Sequence, residues 1–170
     1  MRHPALHRSG IVALLLPFLL LLAVSAQAQE TLPLSSGQTL YLPIYSHIYH
    51  GSRDSQGQPS RALTSAHISI RNTDGASAIR IHSARYFDTR GRLLKEYLTS
   101  PQTIPPLGSH ELFVPHEDTA GGSGASFVIA WSAETLVNPP LIEALHADIR
   151  SSRAVVFITS ARPVKPRQGL

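Results

Sequence analysis

The sequence contains no cysteine among its 170 residues. This absence excludes structural disulfides, thiolate metal sites, a catalytic thiol and an N-terminal cysteine that could carry a lipid. The folded protein must therefore be stabilised by its hydrophobic core. The chain is long enough for one domain with such a core, but not comfortably for two.

Long runs of lysine and arginine are also missing from the sequence. Proteins that bind nucleic acid usually carry such runs, so nucleic acid is not an expected partner. Only the last stretch, ARPVKPRQGL, is locally basic and rich in proline. A terminal stretch of this kind is more typical of a frayed tail than of a binding arm.

The first 28 residues have the pattern of a signal peptide. Arg2 and Arg8 precede an apolar run of 14 residues, IVALLLPFLLLLAV, and the AQA that ends at Ala28 matches the small-x-small cleavage rule. A membrane span requires about 20 apolar residues, and Pro17 interrupts this shorter run. We therefore expect cleavage after Ala28 and a mature protein that is periplasmic or secreted, without a membrane span. Cleavage would reduce the basic residues from 15 to 13, against 11 acidic ones.

From Thr39 onward, short alternating segments are separated by Gly, Pro, Asn and Asp, which is typical of strands and turns. The segment NPPLIEALHADI is ambiguous and is compatible with a strand or a short helix. Seven or eight short strands without a long helix predict an all-β fold. We expect an immunoglobulin-like antiparallel β-sandwich, with a small β-barrel as the alternative. The predicted domain spans 39–163, between a flexible segment, 29–38, and a basic, proline-containing tail, 164–170.

Two-residue alternation predicts which side chains face the core. These are Leu42, Ile44 and Ile48 in TLYLPIYSHIY; Ala66, Ile68 and Ile70 in LTSAHISIRN; Ile79 and Ile81 in SAIRIHSARYF; and Trp131, the single tryptophan. Pro43 cannot donate a backbone hydrogen bond, so the first strand is predicted to be an edge strand or to carry a bulge. Strict alternation would bury Arg85, which is costly without a partner. We therefore expect a β-bulge near Ser83 and Ala84 that turns Tyr86 inward.

Six segments occur in an order that resembles a known family of exported bacterial proteins, domain of unknown function 3124. They are YLPIYSHIYHGSRD, SIRNTD, YFDTRGRL, GGSGASFVIAW, NPPLIEA and ITSARP, and the resemblance covers about residues 40–163. It implies a bacterial source and an envelope location, which some members reach through lipid attachment. Because this chain lacks the cysteine that attachment requires, the resemblance implies a soluble periplasmic form. It implies no catalytic residues.

The stretch YSHIYHGSRDSQGQP has two interpretations. His47 and His50, joined by Asp54, could bind Zn²⁺ or Cu²⁺, which imidazole and carboxylate ligands suit. Residues three apart on a strand point to opposite faces, however. We therefore favour an edge strand that leads into a hairpin loop, with Tyr45, His47 and Tyr49 facing outward. In that interpretation no cofactor is expected.

Two further groups of polar residues have both a functional and a structural interpretation. In GGSGAS, Ser123 resembles the serine of a G-x-S-x-G nucleophile elbow, but it precedes a strand rather than a helix. A glycine-rich turn is the simpler interpretation. Arg80 and His82 share one face of their strand. Together with Arg71 they could hold a carboxylate, sulfate or phosphate, or could form an ordinary solvated face.

Two functional classes follow from these patterns. The first is a non-enzymatic periplasmic module that binds a protein or small ligand, because exposed tyrosine and arginine are favoured in interfaces. The predicted binding residues are Tyr45, His47, Tyr49, His50, Arg53, Asp54, Arg80 and His82. The alternative class is a metal-binding or hydrolytic protein that uses His47, His50 and Asp54.

Overall fold

The structure is a computed structural model that describes residues 32–165. The predicted signal peptide, residues 1–28, lies outside this range. Within it the chain forms twelve strands and no helix. The strands are β1 (Ser35–Ile44), β2 (His47–Arg53), β3 (Pro59–Leu63), β4 (Ser65–Arg71), β5 (Ile79–Phe87), β6 (Leu93–Glu96), β7 (Gln102–Ile104), β8 (Ser109–Val114), β9 (Ala125–Val137), β10 (Leu141–Arg150), β11 (Arg153–Ser160) and β12 (Arg162–Val164).

The strands form three antiparallel sheets. The largest has the order β12-β1-β9-β5-β6, with β7 also paired to β5, and the second has the order β11-β10-β4-β8. Strands β2 and β3 form a separate two-stranded sheet. The prediction of an all-β fold is confirmed. Since no closed barrel forms among the strands described, the barrel alternative is not supported.

The two larger sheets share one hydrophobic core. The predicted inward faces of β4, β5 and β9 are confirmed, because their apolar side chains are almost completely inaccessible to solvent: Ala66, Ile68, Ile70, Ile79, Ile81, Phe127, Ile129 and Trp131. Leu42 and Ile44 of β1 and Ile142 and Ala144 of β10 belong to the same cluster. A core filled from both sheets is consistent with a β-sandwich.

The twelve strands exceed the predicted seven or eight for local reasons. The first predicted strand is broken into β1 and β2, and three short strands, β3, β7 and β12, were not predicted. The ambiguous segment NPPLIEALHADI contains a strand, β10. Strand β1 begins at Ser35, inside the segment 29–38 that the sequence predicted to be flexible. Within residues 32–165 there is no helix that is long and apolar enough to cross a membrane.

The break in the first predicted strand lies at Tyr45 and Ser46. It resets the alternation, so His47 becomes buried and Ile48 is only partly buried. The predictions that His47 faces outward and Ile48 inward are therefore wrong. Strand β1 is also not an edge strand, because it pairs with both β9 and β12. Strand β12 reaches only residues 39–41, however, so Pro43 pairs with β9 alone.

The predicted bulge in β5 is confirmed. The pairing of β5 with β9 shifts between Ile81 and Ser83, so one additional residue is inserted at His82. As a result Tyr86 is buried and Arg85 is exposed. The Arg85 guanidinium lies 5.8 Å from the ring centroid of Phe87 on the outer surface. The bulge thus avoids the cost of burying an unpaired guanidinium.

Candidate functional site

The candidate site is the hairpin formed by β2 and β3. Its register places His47 opposite Leu63 and Tyr49 opposite Arg61, with a bulge between His50 and Arg53. At Gly51, in this bulge, φ is 68°, a conformation that glycine adopts without strain. The hairpin leaves the domain after β1 and returns at the start of β4.

Hydrogen bonds fix the base of the hairpin. The Thr64 N–H donates to the Ser46 carbonyl over 3.0 Å, and the Thr64 hydroxyl donates to the Tyr45 carbonyl. The Ser46 N–H donates to the Gly122 carbonyl over 3.0 Å, and its hydroxyl lies 3.1 Å from that of Tyr86. Ser46 and Thr64 are both buried. The base is therefore attached to the body of the domain and is not a free hinge.

The tip of the hairpin is ordered by its own hydrogen bonds. One Asp54 carboxylate oxygen accepts the N–H groups of Gln56 and Gln58, each over 2.9 Å. The Arg53 guanidinium donates to the Gly57 carbonyl over 2.6 Å. Gly57 has φ of 78°, as this tight turn requires. The predicted loop is thus a preorganised turn, and Arg53 and Asp54 bond to its backbone.

The large exposed side chains of the two strands lie beside this turn. Tyr49 is 57% exposed. His50 and Arg61 are exposed as well, and Arg61 lies directly opposite Tyr49. Arg61 was not among the predicted binding residues, because its position became known only from the pairing of β2 with β3. The accessible surface therefore combines one aromatic ring with a guanidinium group and an imidazole.

His47 differs from the other predicted residues because it is only 6% exposed. Neither ring nitrogen has a hydrogen-bond partner, and the ring packs edge-on against Tyr49 with centroids 5.0 Å apart. Burial, and secondly the charge of Arg61, hold the pKa of His47 below its usual value. A lowered pKa favours the neutral ring at physiological pH. The His47 ring therefore packs against Tyr49 and supports it, and is not itself an exposed contact residue.

Tyr45 is half-buried and lies at the junction between β1 and the hairpin. Its N–H donates to Nε2 of His146 over 3.1 Å. Its ring packs edge-on against His146 and against Phe157, with centroids 5.8 and 5.7 Å apart. Tyr45 thus connects the start of the hairpin to β10 and β11. Because its side chain is half-buried, the prediction that it faces outward is only partly correct.

The metal interpretation gains no support from this geometry. His47 is buried, His50 is exposed, and an Asp54 carboxylate oxygen accepts two backbone hydrogen bonds. Within residues 32–165, no three side chains of His, Cys, Asp or Glu are grouped so that they could hold a metal ion.

Arg80 and His82 lie on the outer face of β5, in the six-stranded sheet. Nε2 of His82 is 2.7 Å from the hydroxyl oxygen of Ser132. Arg80 borders a shallow depression that Thr103, Ser132 and Glu134 also line. Arg71 belongs to β4 in the other sheet, so the hypothesis that it joins Arg80 and His82 in holding one anion is not supported.

The glycine-rich segment before β9 is a turn, as expected. Gly122 has φ of 78°, and its carbonyl accepts the Ser46 N–H at the base of the hairpin. Ser123 precedes β9, so the strand-elbow-helix arrangement of a hydrolase nucleophile is not present at this position. The turn has a structural role, since it closes over Tyr86 and Ser46.

One polar cluster was missed by the sequence analysis. The Asp148 carboxylate accepts a hydrogen bond from Nε of Arg150 over 2.9 Å and lies 3.7 Å from Nε2 of His116. Asp148 is buried and continues the inward face that Ile142 begins on β10. The alternation of LIEALHADI predicts that Asp148 faces inward, but only once this segment is known to be a strand.

Comparisons with known proteins agree with the resemblance noted in the sequence. Residues 37–164 match the model of a family described as "Protein of unknown function (DUF3124)". No match was found among curated proteins. The crystal structure of Thermotoga maritima 1070 is similar at 11% sequence identity and a TM-score of 0.41, over 74% of this chain and 92% of that chain, and supports no argument about function. Because the family model matches most of its length, the chain belongs to the DUF3124 family of proteins of unknown function.

Proposed function

We propose that this domain is a non-enzymatic binding module that recognises a partner protein through the β2–β3 hairpin. The observation that carries the proposal is the combination of a fixed base with an ordered, exposed tip. Hydrogen bonds from Ser46 and Thr64 hold the base, and Asp54 organises the turn. A preorganised loop loses less conformational entropy on binding than a flexible one.

The chemistry of the hairpin indicates an acidic partner surface. Arg61 is exposed beside Tyr49 and His50, and the exposed Arg53 places a second positive charge at the tip. An Asp54 carboxylate oxygen accepts two backbone hydrogen bonds, which leaves the acidic side chain less available to a partner. Arginine and tyrosine are enriched at the energetic centres of interfaces. We infer that Tyr49 and Arg61 form the centre of the contact.

The proposal includes the expected location and fold type. Export by the predicted signal peptide, with cleavage after Ala28, would place the hairpin in the periplasm or outside the cell. The two antiparallel sheets around one core support an immunoglobulin-like type, in which loops and hairpins commonly carry binding. N-terminal sequencing of the exported protein should give Gln29 as the first residue. Retention of Met1 would contradict the proposed location.

Site-specific crosslinking in the producing cell tests the binding proposal. A photoreactive phenylalanine analogue replaces Tyr49 in the full chain, and any crosslinked protein is identified by mass spectrometry. A second version carries the same analogue at Arg85, an exposed position on β5 in another sheet. We expect a specific product from position 49 only. Equal labelling from both positions would contradict the proposed site.

Affinity measurements with the identified partner complete the test. Charge reversal in Arg61→Glu should weaken binding by roughly tenfold or more, as expected for a central interface arginine. Arg85→Glu makes the same change in the six-stranded sheet, away from the hairpin, and should leave the affinity unchanged. Loss of affinity in both variants would indicate a general electrostatic effect and would contradict recognition by the hairpin.

A further inference from the structure

Strand β11 is a sheet edge that is open over residues 154–158, between Arg153 at its start and Thr159, whose hydroxyl donates to the Pro43 carbonyl of β1 over 2.7 Å. It is the terminal strand of the order β11-β10-β4-β8, and residues 154–160 contain neither proline nor a charged residue. The other edge strands described in the two large sheets are short or carry proline or a charged residue: β12 has three residues and Pro163, β7 has three residues, β6 has four residues with Lys95 and Glu96, and the six-residue β8 carries Glu111. Proteins commonly protect edge strands in these ways, because an open edge can pair with another chain.

The side chains along this edge are apolar on both faces of the sheet. On the outer face, Val156 is 53% and Ile158 is 59% exposed. On the inner face, Val155 and Phe157 are only partly buried. An additional strand beside β11 would therefore cover apolar surface on both of its faces, besides pairing the open backbone groups.

The outer face of the sheet is most apolar next to this edge. Leu145 of β10 lies directly opposite Ile158, and Ile149 of the same strand is 74% exposed. Polar pairs occupy other parts of the face: His67 of β4 lies 3.4 Å from Glu111 of β8, and Arg71 of β4 lies 3.9 Å from Glu143 at the start of β10. Uncovered apolar surface thus lies beside β11, while Phe113 of β8 is an exposed apolar residue at the opposite edge of the same face.

We propose that β11 pairs in antiparallel orientation with β11 of a second copy of this chain, so that two four-stranded sheets join into one of eight strands. The occupant that fits the edge must be extended, uncharged and apolar on both faces, and β11 itself meets these requirements. A two-fold axis through Val156, for example, would place Ala154 opposite Ile158 and Val155 opposite Phe157. All of these cross-strand pairs are apolar.

Disulfide trapping tests this pairing directly, because the natural chain has no cysteine. Single cysteines are introduced one at a time at each of the five positions 154–158 of the full chain, because only the residue on the two-fold axis lies opposite its own copy. Directly opposed residues of an antiparallel pair have Cα atoms about 4.5–5.5 Å apart, a distance that a disulfide can bridge. We expect at least one variant to form a crosslinked dimer rapidly under mild oxidation, and the reactive position gives the register.

The matched control is Phe113→Cys, at a residue that is 57% exposed on the same face but on the opposite edge strand, β8. It should crosslink slowly, by random collision only. Equal crosslinking at position 113 and on β11 would overturn the proposal, and so would the absence of crosslinking at all five β11 positions.

Sedimentation equilibrium of the purified protein provides an independent measurement. We expect a monomer–dimer equilibrium that Ile158→Lys weakens by roughly tenfold or more, while Phe113→Lys leaves it unchanged. Thermal unfolding of each variant verifies that it is folded. If Ile158→Lys does not fold, the crosslinking of the cysteine variants tests the pairing by itself. A monomer at every concentration, or equal loss of the dimer in both lysine variants, would overturn the pairing. The proposal does not depend on recognition by the hairpin.

Discussion

The imidazole ring of His146 lies flat against the ring of Phe157, with centroids 4.5 Å apart and planes inclined by 1°. The His146 side chain is completely buried, and its Nε2 accepts the N–H of Tyr45. Burial lowers the pKa of His146 to about 4. The neutral ring thus links β10, β11 and the start of the hairpin, and its charge state affects all three.

The buried His146 predicts that the protein loses stability in mild acid. The unfolded chain titrates this residue near pH 6.5 and the folded chain near 4. Between these values the unfolded state binds more protons, so the stabilisation is complete above pH 6.5 and decreases as the pH falls towards 4. The loss is on the order of 3 kcal/mol. The lowered pKa of His47 acts in the same direction.

Urea unfolding at several values between pH 7 and pH 4 measures this effect. His146→Gln should reduce the slope of stability against pH, whereas His50→Gln, at an exposed position of β2, should leave it unchanged. Asp74 and Asp88, whose hydrogen bonds lower their pKa values, lose their stabilising effect only at lower pH. An unchanged slope in His146→Gln would contradict the assignment.

Gly121 is predicted to tolerate no side chain. A Cβ atom at this position would overlap the Tyr86 hydroxyl oxygen and would lie 2.7 Å from Cβ of Ala125. Gly121→Ala should therefore destabilise the protein by about 1–3 kcal/mol, the usual range for overpacking. Chemical denaturation measures the change. Gly75→Ala is the control, because nothing lies within 4 Å of its added Cβ.

A double-mutant cycle identifies the cause of the Gly121→Ala effect. Tyr86→Phe removes the oxygen atom that the new methyl group would meet. The combination of both changes should cost less than the sum of the single changes, because the clash is partly relieved. Strict additivity would indicate that contact with the Tyr86 hydroxyl is not the cause.

Trp131 is predicted to be a major contributor to the core. Its side chain is 2% exposed, and it belongs to the cluster that both sheets share. Trp131→Ala should cost about 3–5 kcal/mol of unfolding free energy. Leu136→Ala, on the same strand but 65% exposed, should cost far less. A loss below about 1 kcal/mol for Trp131→Ala would be incompatible with a buried ring.

The two histidines of β2 should respond differently to truncation. His47→Ala removes a buried ring that packs against Tyr49, so we expect a loss of about 1–3 kcal/mol. His50→Ala removes an exposed side chain and should change stability by less than about 0.5 kcal/mol. Differential scanning calorimetry compares the two. Equal losses in the two variants, together with stabilisation of the natural chain by added Zn²⁺ or Cu²⁺, would instead favour the metal interpretation.

The local sequence determined the fold class and much of the core. Alternation identified Ile68, Ile70, Ile79, Ile81 and Trp131 as buried, because a strand presents successive side chains to opposite faces. It also predicted the bulge in β5, because the high cost of a buried, unpaired Arg85 is a property of the residue itself. These features depend on neighbours in the chain, and such neighbours are visible in the sequence.

Pairing between distant segments was decided by the tertiary structure alone. The break at Ser46 follows from its contacts with Gly122 and Tyr86, which lie far away in the sequence, and this break turned His47 inward. Arg71 and Arg80 sit on similar strands, but the pairing of those strands assigned them to different sheets. A one-residue shift or a change of partner reverses which side chains reach solvent, while the local pattern stays the same. The open edge of β11 has the same origin, because a strand is an edge only when no other strand pairs with one of its sides, and pairing is decided by the tertiary structure.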